Sequence, residues 1–425
     1  MKPRVMLVAA NLDILGGHGV QADLLLRALR AEGYPVGFLP INPRFPAGLG
    51  WLRRVPYART SLNEAMYLPS LLSFSRADVV HVFSASYWSF LLAPAPAMLA
   101  ARALGKRVVL HYHSGEAEDH LARWGRKVHP FLRLAHEIVV PSEYLRRVFT
   151  RHGYRARVIR NIVDISRFAC RQRSSVGPCL VSTRNLEPYY RVDLTIEAFA
   201  LLRAERPGAT LTIAGTGSQE EWLRRRAASL DGSVRFVGRV EPEDMPSLLL
   251  SCDIFLNSSV VDNQPVSILE AFTAGLPVVT TPTGGIAEMV RNEKTGLLVP
   301  PQEPGAMFQA VMRLLDEPDL AQALARRARK EVEKHTWSHV REAWAAVYGE
   351  AAPAHLSRSP QPERGASDPP SREALRRGLA VARPAFAKLR RVRRSPEVGG
   401  GRAEAEARSA GGGAPAHLLM TEDPS

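Results

Sequence analysis

The sequence predicts an α/β protein of two doubly wound units in tandem, each a parallel sheet covered by helices on both faces. Three observations predict it. Near-continuous Val/Leu/Ile runs of strand length alternate with helical patterns, as strands buried on both faces require. The alternation pauses near residues 168–178 and restarts after Gly177. A chain of 425 residues also exceeds what one core serves, so two domains and a tail are expected.

RVMLVAA (4–10) opens the first unit. The glycine-rich LGGHG follows, then VQADLLLRALRAEG, where Val20, Leu24, Leu25 and Leu29 recur at helical spacing and Gly33 stands where a C-cap would. VGFLP, DVVHVF (78–83), KRVVLHYH (106–113) and EIVVPS (137–142) supply further strands. In the second unit the strands are CLVSTR (179–184), ATLTIAG (209–215), SVRFVG (233–238), DIFLNSS (253–259) and LPVVTT (276–281). Helical runs such as VDLTIEAFALLRAE and AMFQAVMRLLDE lie between them. The expected domains are therefore 1–169 and 170–335. A helix over 336–350 carries three large aromatics and is expected to pack back across the first domain. From 352 to 425, Pro, Gly, Ala, Ser and Arg dominate and periodicity fades, the composition of a disordered basic tail.

Composition narrows the class. The 45% hydrophobic and 23% charged residues are those of an ordinary soluble protein. Cys170, Cys179 and Cys252 form no metal-ligand spacing and no even framework, which points to a reducing, cytoplasmic compartment. The N-terminal KPRVMLVAANLD lacks a cleavage site and reads as a first buried strand, and no run approaches roughly 20 apolar residues. The net charge of +14 is uneven: residues 1–169 hold 23 basic against 11 acidic side chains, whereas 170–350 hold 20 against 23. A basic first half suits an anionic partner, although an Arg-rich sequence without one would look the same. Nucleic acid is not expected, because zinc-finger spacing, an RNP signature and basic-zipper heptads are all missing. Trp51 beside Arg53, Arg54 and Arg59, and Trp124 beside Arg123, Arg126 and Lys127, suit an anionic membrane surface, so a peripheral location on its inner face is expected.

Open α/β sheets bind ligands outside the carboxyl ends of their strands, and four segments place functional groups there. In LGGHG, Gly16 and Gly17 let backbone N–H groups approach a ligand, with a helix N-terminus behind them. The segment has neither dinucleotide-fingerprint nor P-loop spacing. In HYHSG, His111 and His113 share a strand face, and His113 is nearer the strand end. A histidine simply buried and hydrogen-bonded there would give the same pattern. In STRNLEPYYRVD, Arg184 follows a strand and offers a planar fork for phosphate. Arg191 is nearby, and equally reads as a solvated charge at a helix start. Finally, DNQPVSILEAFTAGLPVVTTPTGG sets Asp262 in a loop and Glu270 within an apolar helix, 265–274, about one turn from its N-terminus. A buried carboxylate needs hydrogen-bond donors, and ribose hydroxyls are good ones.

This last stretch resembles the retaining glycosyltransferases of family 4, whose fold, GT-B, has two facing Rossmann-like domains with a cleft between them. The family signature is an acid, seven residues, Glu, then Ala-x-x-x-Gly-x-Pro-Val-Val and Gly-Gly. Here it reads Asp262, Glu270, Ala271, Gly275, Pro277, Val278, Val279, Gly284 and Gly285. IVVPSEYLRRVF, VIRNIVDISRF, AGTGSQEEWL and VRFVGRV extend the resemblance over roughly 4–350. It implies a donor side in the second domain and an acceptor side in the first. Glu270 would bind the nucleotide ribose. Asp262, with amides around Gln264 and Val266, would hold the donor sugar. Arg184 would hold the diphosphate with the amides of Gly16 and Gly17, and His113 would lie against the sugar.

Two departures stand out: Asp262 occupies a position that is usually Glu, and Tyr190 replaces a usual phosphate-binding Lys, with Arg191 as a candidate substitute. The implied reaction is metal-independent transfer of a hexose, with retention, from a UDP- or GDP-sugar to a glycan or lipid-linked acceptor, as in polysaccharide biosynthesis. The nucleotide sugar is then a substrate, and no cofactor is expected. A nucleotide-sugar 2-epimerase on the same fold and a non-catalytic basic membrane-binding scaffold are the alternatives.

Overall fold

The computed structural model describes residues 2–12, 17–45, 51, 55–84, 86–170, 175–230 and 232–349. Gly16 and the segment 352–425 read as a tail lie outside them. The first sheet comprises β1 (Val5–Ala9), β2 (Val36–Pro40), β3 (Val79–Ser84), β4 (Arg107–Tyr112), β5 (Glu137–Val140) and β6 (Arg157–Val158), in the order β2-β1-β3-β4-β5-β6. The second comprises β7 (Cys179–Thr183), β8 (Thr210–Ala214), β9 (Val234–Gly238), β10 (Ile254–Asn257), β11 (Val278–Thr280) and β12 (Leu297–Leu298), in the order β12-β11-β10-β7-β8-β9. Every strand pairing is parallel.

The strands are rich in Val, Leu and Ile because helices cover both faces, with polar residues such as His81, His111 and Asn257 buried among them. Every residue of β3 is buried, as is every residue of β10. Val80, Val82, Val108 and Leu110 face one core of the first domain, with Phe74, Phe90, Leu121 and Phe149. Leu7, Val79, Val109 and Val139 face the other, with Leu25 and Leu29 of the helix Gly17–Ala31.

That second core is completed from the far end of the described chain. The helix Trp337–Gly349 presents Val340, Trp344, Val347 and Tyr348, all buried against Leu7, Val79 and Val109. Its approach is fixed by Val163 N–H donating to His335 O at 2.8 Å and by a 2.7 Å hydrogen bond between His81 Nδ1 and Tyr348 Oη. Trp337 Nε1 also donates to Glu32 Oε1 at 3.0 Å. A helix that follows the second sheet in sequence thus belongs to the first domain's core.

Each sheet has a switch point, where strand order reverses direction and neighbouring loops diverge to open a crevice. In the first sheet it lies between β1 and β3, and in the second between β7 and β10. The loops leaving β7 and β10 carry Arg184 and Asp262.

Candidate active site

The carboxyl-end loops of both sheets enclose one cavity of about 390 Å³, within the range of small-molecule sites. Gly17 and His113 line it from the first domain, and Arg184, Asp262, Gln264, Val266 and Glu270 from the second. The helix Gly17–Ala31 and the helix Val266–Thr273 begin at its wall, so the partial positive charge of both N-termini falls on the cavity.

Arg184 follows β7 directly and is held on three sides. Its Nη2 donates to Asp262 Oδ2 at 2.6 Å and its Nη1 to Ser267 Oγ at 3.1 Å. Its guanidinium carbon lies 3.9 Å from the centre of the Tyr190 ring, a cation–π contact. Both charged partners retain only 10% side-chain exposure. Arg184 Nε is buried without a partner among the described residues, an unused donor in a cationic fork. Asp262 also accepts from Ser259 Oγ at 3.1 Å and from Asn263 N–H at 2.9 Å. The carboxylate expected to meet sugar hydroxyls is thus engaged by the cation expected to meet phosphate.

Glu270 is different. Its carboxylate accepts no hydrogen bond among the described residues, and burial pushes its carboxyl up to about 7 from an ordinary 4.5, against a smaller downward pull from Arg167. A desolvated acceptor that opens onto a cavity is suited to a ligand that brings hydroxyl donors.

Across the cavity, His113 follows β4. Burial first, then His18 and His81, hold its imidazole well below its ordinary 6.5, so it is neutral at neutral pH. Its Nε2 is buried with no partner among the described residues. His18, whose ring centre is 5.0 Å away, lines the cavity as well. His111 lies behind, at 4.0 Å between ring centres, and does not reach the cavity wall.

The backbone around Asp262 is packed too tightly for side chains. A Cβ on Gly115 of the first domain would stand 2.8 Å from the Asp262 carbonyl carbon, and one on Gly284, whose φ is +54°, only 2.0 Å from Asp262 O. Glycine is required at both positions, and the two domains meet at the Asp262 backbone.

Arg191 stands apart from these residues. Its φ of +51° turns the side chain back along the chain, where Nε and Nη2 fork onto Asp193 at 2.8–3.1 Å and Nη1 reaches Gln302 at 3.4 Å. It does not line the cavity, which corrects its expected part in phosphate binding. Arg239, paired with Glu241 at 2.9 Å, does line it, as do Glu116, Asn161 and Ser267. Sequence reading passed over these four. Arg239 follows VRFVG at a strand's carboxyl end, the same signal that singled out Arg184.

Comparison with known proteins agrees with this geometry. Residues 15–167 match the profile of "Glycosyltransferase Family 4", and residues 172–331 that of "Glycosyl transferases group 1". Glycogen synthase of Mycobacterium tuberculosis is 37% identical over 211 residues, covering 48% of this chain and 50% of that protein, so the match spans about half the relative's length. Phosphatidyl-myo-inositol mannosyltransferase of Mycolicibacterium smegmatis is 25% identical over 366 residues, 81% of this chain and 92% of the relative. Among solved structures, Anabaena HepE in complex with UDP and glucose superposes with a TM-score of 0.63 at 17% identity, covering 82% of this chain and all of that one. The fold is therefore GT-B, and with its two sheets matched in succession by those two profiles the chain belongs to the family 4 type of glycosyltransferases.

Proposed function

We propose that the protein transfers a hexose from a UDP- or GDP-linked sugar to a glycan or lipid-linked acceptor, with retention of configuration. The observation that carries the reading is the set of groups that line one cavity. Glu270 offers a partly buried carboxylate that accepts no hydrogen bond among the described residues, Arg184 a buried fork with a free donor, and Asp262 an acceptor beside the loop amides, while neutral His113 lines the same cavity. These fit ribose, diphosphate and sugar in turn.

In this reading the diphosphate takes over the Arg184 guanidinium, and Asp262, released from the pair, accepts from sugar hydroxyls. The bond from the anomeric carbon to the diphosphate oxygen breaks. The acceptor hydroxyl bonds to that carbon on the same face, and its proton passes to the departing phosphate. Negative charge grows on the leaving group, and Arg184 with the two helix N-termini stabilises it without reorganising. His113, uncharged, packs against the sugar and adds no competing cation.

The acceptor would enter from the first domain, where exposed aromatics and cations suit a lipid-bearing surface. Trp88 is 58% exposed, and Lys127 Nζ lies 4.5 Å from the ring centre of Trp124 and 5.5 Å from that of Trp88. No helix among the described residues is long and apolar enough to cross a membrane. A peripheral enzyme working at the cytoplasmic face fits these features.

Incubation with a panel of nucleotide sugars, with and without a chelator, tests the reading. Release of UDP or GDP that survives the chelator is expected, with product whose anomeric configuration matches the donor. No nucleoside diphosphate released from any donor would overturn it. For the surface, sedimentation with anionic vesicles at low salt is expected and should weaken in Lys127→Glu; absence of binding by the parent removes the membrane from the proposal.

A further inference from the structure

The second sheet holds a pair of cysteines that sugar transfer does not use. Cys179 opens β7, and Cys252 stands just ahead of β10, the strand paired with β7. Neither lines the cavity, which lies at the opposite, carboxyl ends of the same strands. The backbone atoms on both sides of Cys252 touch Cys179. Asp253 N–H donates to Cys179 O at 2.7 Å, and Cys179 Sγ lies 3.5 Å from Ser251 O. Both side chains pack on one core, with Phe255 and Leu276. The Cys252 thiol is thereby held against the Cys179 sulfur and hydrogen-bonds to it.

The two thiols differ in what they can do. Cys252 is 1% exposed, whereas Cys179 is half-buried at the amino end of the sheet, beside Thr210 of β8. The hydrogen bond from Cys252, helped by Thr210 and Arg235, holds the Cys179 thiol below its ordinary 9 despite burial and Asp253. The same hydrogen bond, with burial, holds the Cys252 thiol above it. A thiol that ionises readily and meets solvent is the attacking member of a pair, and a buried one that keeps its proton acts only on what its neighbour brings.

We infer that Cys179 and Cys252 form an oxidisable dithiol, in which Cys179 reacts with a small hydroperoxide and Cys252 resolves the product as a disulfide between β7 and β10. The strand register sets Cys179 level with Asp253, one residue beyond Cys252. Strands about 4.8 Å apart with an offset of about 3.3 Å put the two Cα atoms about 6 Å apart, within the roughly 4.4–6.8 Å that a disulfide spans. With hydrogen peroxide, the Cys179 thiolate attacks one oxygen, the O–O bond breaks, and the sulfur becomes a sulfenic acid as water leaves. The Cys252 sulfur then attacks that sulfenic sulfur, the S–O bond breaks, and the departing hydroxyl takes the thiol proton as a second water. Two thiols give two electrons to one peroxide, and the disulfide halts oxidation short of sulfinic acid.

The test treats the full chain with hydrogen peroxide, raised until exposed Cys170 is oxidised, and maps peptides of the monomer without reduction. A peptide linked through Cys179 and Cys252 is expected, and dithiothreitol should separate it. In Cys252→Ser, or Cys252→Ala should the serine variant fail to fold, Cys179 loses its resolving partner. Dimedone should then trap its sulfenic acid about fivefold or more above the parent, and sulfinic acid should follow. In Cys179→Ser, Cys252 should stay reduced. Absence of the linked peptide once Cys170 is oxidised overturns the inference. So does dimedone labelling of Cys179 that is the same with and without Cys252, or oxidation of Cys252 in Cys179→Ser as fast as in the parent.

Discussion

Replacing Glu270 by glutamine separates the cost of its charge from the use of it. Burial raises its carboxyl from 4.5 to about 7. A raised folded-state value means that the folded protein favours the protonated acid. The associated stability is present below about pH 4.5 and is lost as pH rises through about 7. At about 1.36 kcal/mol per unit, keeping the carboxylate ionised at this site costs on the order of 3 kcal/mol. Glutamine keeps the shape without the charge. Glu270→Gln should therefore melt close to the parent at about pH 5 and several degrees higher at about pH 8.5. Nucleotide binding should move the other way. Hydroxyls that donate to a carboxylate make hydrogen bonds worth about 1.5–3 kcal/mol, so the variant should lose roughly tenfold to hundredfold in affinity for UDP or GDP. In the parent, binding at about pH 6 should release a proton, read by calorimetry in two buffers of different ionisation enthalpy, because ligand donors pull the acid back toward its ordinary value. Equal melting shifts at both pH values, together with undiminished nucleotide affinity, would refute the assignment of Glu270 as a desolvated ribose acceptor.

Arg184→Ala should lower turnover about 10²- to 10³-fold with a smaller change in KM, since the charge it meets grows as the bond breaks. Arg191→Ala, which removes a guanidinium committed to Asp193 and Gln302, should stay within about twofold of the parent in the same assay. Gly115→Ala forces a methyl to within 2.8 Å of the Asp262 backbone, which cannot swing aside as a side chain would. The cleft must open, with kcat/KM falling about 10²-fold while each domain melts as before. Trp344→Ala empties a site with 1% exposure in the core beneath β1, β3 and β4 and should cost about 3–5 kcal/mol in denaturant unfolding, although the residue lies after the second sheet in sequence.

Much of this was legible because it is local. Strands buried on both faces must be largely apolar along their length, so Val/Leu/Ile-rich runs identified β1, β3, β4, β7, β8, β10 and β11 without help from tertiary contacts. The rule that ligands gather at carboxyl ends then placed Arg184, Asp262 and His113 near one another, and the spacing from Asp262 to Glu270 follows from one loop and one helical turn. Trp344 and Tyr348 announced a buried helix face by their size alone.

What the sequence could not decide were the partners of these groups, because loops that meet in space are separated by long stretches of chain. Asp262 and Arg184 lie 78 residues apart, and their pairing follows from β7 and β10 becoming neighbours. Arg191 looked as available as Arg184. A left-handed backbone at the helix entry and an aspartate two residues on turned it away, and neither is visible as composition. Glu270 reads as a carboxylate in poor company in both views, but its rise to about 7 depends on how completely the folded helix is desolvated and how near Arg167 comes. The hydrogen bonds between Asn161 and Gln264 span 103 residues and two domains, and an Asn-Gln pair in a loop carries no periodicity that would betray them. The sequence by itself thus determined the elements and the chemistry they carry, since strand, helix and turn are set by neighbours along the chain. The tertiary structure alone decided which charges neutralise one another and which face the cavity, since those depend on distances across the cleft.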